Sequence, residues 1–144
     1  MIVQQILKGK DTTGVLYLKP DAAVSEAAKV MSDKRIGTMV VSTNGKTADG
    51  ILSERDIVRE IGKRGVGCID DKVSDLMTPN PITCTPNESA DRVLEIMTEG
   101  RFRHLPVMEN DEMIGLISIG DVVKARLAEL SMEKDALQGM IMGH

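Results

Sequence analysis

The chain has 144 residues, 42% of them hydrophobic but only 1% aromatic, and a formal net charge of −4 with acids and bases interspersed. That length suits one ordinary domain or two small units sharing a core, and the charge balance leaves no electrostatic footprint for nucleic acid. No apolar run approaches the ~20 residues of a membrane helix, no secretory leader is recognisable, and Cys68 and Cys84 are too few for a disulfide framework, so a soluble, cytoplasmic, globular protein is expected.

With Tyr17 and Phe102 as the only aromatic residues, the core must rest on Ile, Leu, Val, Ala and ten methionines. In chain order, Val3 to Lys8 reads as a short helix, followed by a Gly/Thr turn and an extended Val15-Leu16-Tyr17-Leu18. Val24 to Lys34 places Val24, Ala27, Ala28 and Met31 at helical spacing. Thr38 to Ser42 and Gly50 to Ser53 are short β-type runs on either side of Asn44-Gly45, a hairpin signal. Asp56 to Ile61 turns helical before Gly62, Gly65 and Gly67. The second half predicts a strand near Ile82 to Cys84, a helix from Ser89 to Glu99, hairpin strands His104 to Met108 and Met113 to Ser118, and a helix from Asp121 to about Leu130. The tail from Met132 to Met142 spaces Met132, Ala136, Leu137, Met140 and Ile141 on one helical face, suited to packing on its own module or on a second copy.

The two halves are one pattern written twice. Gly-Ile-Leu-Ser-Glu-Arg-Asp at 50–56 answers Gly-Leu-Ile-Ser-Ile-Gly-Asp at 115–121, and Pro20 to Val41 lies on Pro86 to Val107 without a gap. Pro20 and Pro86 are 66 positions apart but Asp56 and Asp121 only 65, so one residue is lost, in the turn where Thr43 to Lys46 faces Glu109 to Asp111. Val3 to Leu7 answers Val73 to Met77 more loosely. The predicted fold class is α/β (α+β), with β-α-β-β-α twice in tandem and helices on one side of small sheets. The expected units are residues 1–65, 73–130 and a helical tail 131–144.

These doubled Ser-x-x-Asp corners, with Met77-Thr78-Pro79 before the second unit and Arg103-His104-Leu105-Pro106-Val107 within it, resemble the CBS (cystathionine-beta-synthase) domain pair, or Bateman module, from about Val3 to Leu130. The resemblance implies a pseudo-two-fold, stand-alone pair without a catalytic domain, binding an adenine nucleotide (AMP, ADP, ATP or NAD) in its central cleft and associating as a homodimer.

Two readings of Ser-x-x-Asp remain open. In one, Ser53 and Ser118 are helix N-caps with Asp56 and Asp121 reaching back to backbone amides. In the other, the same helix mouths offer amides to a phosphate, and the aspartates accept from a ribose diol, as the family resemblance implies. Arg55 is a phosphate fork or an exposed cation. Leu16-Tyr17 and Ile82-Thr83 match the strand that holds adenine in the family; Tyr17 could stack on the base or pack on its own core. Arg103 and His104 correspond to cleft positions that reach phosphates, while Arg35 and Arg101 recur where solvation alone explains them.

Other chemistries fit poorly. Two cysteines sixteen apart and two histidines have no metal-ligand spacing, and neither Ser53 nor Ser118 has an evident base partner. The Gly62 to Gly67 run follows a helix where a phosphate loop needs a strand, and reads as a helix end and linker. A nucleotide sensor is the leading reading. A constitutive interaction module recruiting a partner protein through its tail is the alternative, and an enzyme acting on a nucleotide is third.

Overall fold

The computed structural model describes residues 1–10 and 14–141; the expected Gly/Thr turn and Met142 lie partly or wholly outside them. In the first repeat, β1 (Tyr17–Leu18) runs parallel to β2 (Thr38–Val41), which pairs antiparallel with β3 (Gly50–Ser53), and β3 pairs with β4 (Thr78–Pro79). The second repeat has an antiparallel pair, β5 (His104–Glu109) and β6 (Glu112–Ser118). The strand expected near Ile82 to Cys84 is reduced to one parallel bridge, Cys84 to Val107. It stands where Leu18 pairs with Val41 in the first repeat, so the repeat recurs in the pairing register. Pro81 and Pro86, which donate no backbone hydrogen bond, flank this segment and keep it short.

Helices α2 (Val24–Lys34) and α5 (Ala90–Gly100) bury Val24, Ala27 and Met31, and Ala90, Val93 and Met97, on one stripe each. Both end in a left-handed residue, Arg35 at φ 55° and Arg101 at φ 59°, so these arginines are helix C-caps as well as surface cations. Helix α3 (Glu54–Arg64) runs through Gly62 and stops at Gly65, where φ is 81°. A 3₁₀ turn at Val66–Asp70 completes the linker. The first hairpin is not a tight Asn-Gly turn: residues 42 to 49 loop out, with the Asn44 side chain accepting from the Lys46 and Thr47 amides. The second closes in two left-handed residues, Asn110 and Asp111, with a bulge after Val107.

The repeats exchange their entry helices. The Val3 amide of α1 (Val3–Lys8) donates to the Glu88 carbonyl, and Val3 and Ile6 join the core of the second repeat. The Val73 amide of α4 (Val73–Leu76) donates to Ala22, and Val73 joins the core of the first. The bridges Ile2–Ser89 and Ala23–Lys72 repeat this tie on both sides. Burying a side chain of this size contributes about 1.5–3 kcal/mol, so each half depends on the other's leading segment. Each core is completed by the entry helix of the other repeat.

The last helix, α6 (Ile119–Ile141), continues unbroken for 23 residues, past the end expected near Leu130. Packing of the tail on its own module is not what forms: Met132, Leu137, Met140 and Ile141 are 66%, 59%, 75% and 84% exposed. Among the described residues no helix is long and apolar enough to cross a membrane.

Candidate functional site

Each Ser-x-x-Asp forms the corner between a third strand and the following helix. Ser53 has extended backbone and caps α3: the Asp56 amide donates to its hydroxyl at 3.3 Å, and its own amide and hydroxyl donate to Asp56 Oδ2 at 2.9 and 3.0 Å. At Ser118 the Asp121 amide donates at 3.0 Å and the Ser118 amide returns 2.9 Å to Asp121 Oδ2. The capping geometry is thus present in both halves, worth about 1 kcal/mol each. It engages only Oδ2, so capping and ligand binding do not exclude one another. Asp56 Oδ1 has Arg59 at 3.7 Å.

Gly50, which opens β3, and Gly115, within β6, make room for the exchanged segments. A β-carbon on Gly115 would fall 2.8 Å from Leu7 Cδ2, and one on Gly50 would collide with Met77. The first amide of each helix is also taken, Glu54 donating to the Gly37 carbonyl and Ile119 to the Arg103 carbonyl, both at 2.8 Å. With the third amide on the serine hydroxyl, two of the three leading amides of each helix are committed within the chain, which leaves fewer donors at the helix mouths than the sequence suggested.

Two cavities lie beside these corners, and both are lined by Gly37, Thr38 and His104. The smaller, about 330 Å³, is lined by Ser53, Arg55, Asp56, Ile82, Arg103 and His104, which brings six of the expected residues together. Arg59, Arg101 and Phe102 also line it. The larger, about 970 Å³, is lined by Ser118 and His104 with Lys10, Leu16 and Lys34. Asp121 stands behind Ser118, its Oδ2 taking a 2.8 Å bond from Lys10. Burial alone would raise the Asp121 carboxyl, but the Lys10 ammonium and the Ser118 hydrogen bonds outweigh it and hold the group below its ordinary value. Burial lowers the His104 imidazole, with Lys10 and Arg103 adding to it against the opposing pull of Asp121, so His104 is neutral at pH 7.

Tyr17 and Thr83 line neither cavity. The Tyr17 ring packs over Gly45, where a β-carbon would lie 2.8 Å from Cε1; alternation along the strand sends Leu16 to the cleft and Tyr17 away from it. Leu16 and Ile82, 43% and 47% exposed, are the equivalent apolar pair. The repeat offset relates Leu16 to Ile82, an equivalence already expected from the sequence, and Thr38 to His104. Nothing local marks Lys10, whose partner lies 111 positions away. Among the described residues no cluster of His, Cys, Asp and Glu suited to a metal is present.

Residues 5–63 and 73–128 each match the CBS domain family. CBSX3, a mitochondrial CBS domain-containing protein of Arabidopsis thaliana, is 38% identical over 141 residues, covering 94% of this chain and 68% of its own length. The crystal structure of the CBS-domain containing protein ATU1752 from Agrobacterium tumefaciens superposes with a TM-score of 0.80 at 42% identity, covering 88% of this chain and 99% of that one. CBSX2 of Arabidopsis thaliana, solved in complex with AMP, superposes with a TM-score of 0.71 at 25% identity, covering 88% of this chain and 96% of that one.

Proposed function

The chain belongs to the CBS-domain family, and on that footing we propose that it is a regulatory module that binds an adenine nucleotide (AMP, ADP, ATP or NAD) between its repeats. The observation that carries this reading is the pair of adjoining cavities, each beside one strand–Ser-x-x-Asp–helix corner and both lined by Thr38 from one repeat and His104 from the other. A nucleotide in either cavity touches both repeats. Its differential affinity for two arrangements of them shifts their populations, which is a signal. The similarity to CBSX2, solved with AMP, supports the ligand class.

In this proposal Asp56 and Asp121 hold the ribose through Oδ1, Ile82 and Leu16 lie against the base, and Arg55, Arg103 and His104 face the phosphates, with Ser53 and Ser118 setting the corners. Tyr17 and Thr83 support the strands rather than the ligand. In this reading the module acts as a sensor rather than as an enzyme. A homodimer is proposed from the family resemblance and the bare apolar face of α6. A cytoplasmic site rests on the sequence alone, and CBSX3 is mitochondrial.

Thermal melting with AMP, ADP, ATP and NAD tests the reading. A ligand at a hundred times its Kd stabilises by about 2.7 kcal/mol, a rise of several degrees, and Asp56→Ala or Asp121→Ala should diminish it. The absence of a shift with all four overturns the proposal. One observation favours a second reading, a constitutive interaction module: both aspartates already close their own caps. Under it each alanine variant loses about 1 kcal/mol and has no nucleotide effect to lose.

A further inference from the structure

We propose that the Asp56 cavity selects nucleotides carrying two or more phosphates, and that the arginines around it make the selection; this rests on the nucleotide-sensor reading. Arg55, Arg59, Arg101 and Arg103 all line this cavity, against the two carboxylates of Glu54 and Asp56. Among the described residues, Arg55, Arg101 and Arg103 have no carboxylate within 4.0 Å, and Arg59 reaches Asp56 only at 3.7 Å. Elsewhere Arg64, Arg92 and Arg126 each hold a carboxylate. Arg35, the C-cap of α2, is likewise without a carboxylate among the described residues but stands outside this cavity, so three of the four unpaired guanidinium groups share one cleft of a chain whose net charge is −4.

A guanidinium binds phosphate as a two-pronged fork. One phosphoryl group, with three terminal oxygens, offers at most three oxygen–oxygen edges to such forks and crowds the guanidinium groups around one centre. A di- or triphosphate spreads more edges over a longer span. Because the first and third amides of α3 are committed to the Gly37 carbonyl and the Ser53 hydroxyl, these side chains are the main donors facing an anion. The other cavity lacks such a cluster: its lysines are Lys10, already bonded to Asp121, and Lys34. Arg55 and Arg59 come from α3 of the first repeat, Arg101 and Arg103 from the C-cap of α5 and the approach to β5 in the second. A polyphosphate between them ties the repeats together where a monophosphate reaches only part of the set.

Isothermal titration with AMP, ADP and ATP, in metal-free buffer, tests this on the wild type, on Asp56→Asn and on Arg101→Asn/Arg103→Gln. Asparagine tolerates the left-handed backbone of position 101, and melting without ligand checks that the double variant is folded. The expected result is that the class of sites lost in Asp56→Asn binds ATP about tenfold or more tightly than AMP. In the arginine variant that preference should fall to about threefold or less, because ATP loses more affinity than AMP does. Equal affinities for AMP and ATP at that class, or an ATP preference untouched by the arginine changes, overturns this inference alone. No binding of any nucleotide overturns the sensor reading and this inference with it.

Discussion

The Lys10 ammonium donates to Asp121 Oδ2 at 2.8 Å and to the Leu116 carbonyl at 2.9 Å, fastening the segment after α1 to the corner of the second repeat. This ion pair spans 111 positions and is about three-quarters buried, with side-chain exposures of 28% and 25%. Among the described residues it has no counterpart at Asp56, whose cationic neighbour Arg59 sits on the same helix. Two corners with the same local motif thus differ in what faces their aspartates.

Lys10→Met should cost up to about 1 kcal/mol at neutral pH and let the Asp121 carboxyl rise toward its ordinary value. A lowered folded pKa stabilises above the unfolded value of 3.8 and loses that contribution as pH falls through the folded value. The melting difference between wild type and Lys10→Met should therefore shrink as pH drops below 3.8. A gap that widens on acidification would contradict the assignment.

Gly50→Ala should destabilise by about 1–3 kcal/mol through overpacking, since its methyl group meets Met77, the residue that follows the exchanged helix α4. Met77→Ala in the same chain should recover part of the loss, because it removes the clashing side chain. Chemical denaturation of the single and double variants measures the coupling. Additive losses would mean that the methyl group clashes with something else.

His104 titrates below its ordinary value of 6.5, chiefly from burial. Being more basic when unfolded, it takes up protons on unfolding as pH falls below 6.5, so its contribution to stability is present above that pH and declines below it. Replacement by Gln should flatten the pH dependence of Tm between about 6.5 and 5. A parallel profile for wild type and variant would place the titration elsewhere.

Truncation after Ser131 removes Met132, Leu137, Met140 and Ile141, all more than half exposed. Because they join neither core cluster, the Tm of the isolated chain should change by only a few degrees or less. If this face joins two copies, light scattering should show the dimer mass falling to that of a monomer. An unchanged mass would remove the tail from the interface.

The repeat itself was legible because helix and strand periods and the Ser-x-x-Asp corners are local, and a duplicated local pattern is visible without knowing what touches what. Helix α2 spans the predicted residues 24–34, and Leu18–Val41 and Cys84–Val107 pair at matching repeat positions. The extent of α6 was less so: nothing local stops the helix at Leu130, and a tail with an apolar stripe gives no sign of what covers it.

The amino-acid sequence by itself determined the two-fold plan, the corners and their caps, since each depends on residues three or four positions apart. Tertiary structure alone decided that α1 belongs to the second core and α4 to the first, that Lys10 meets Asp121, that Tyr17 turns to Gly45 while Leu16 turns to the cleft, and that four arginines from two repeats share one cavity. Those contacts join residues far apart in the chain, where distance in sequence carries no information about distance in space, and only the burial of each apolar face against its partner settles which side chains meet.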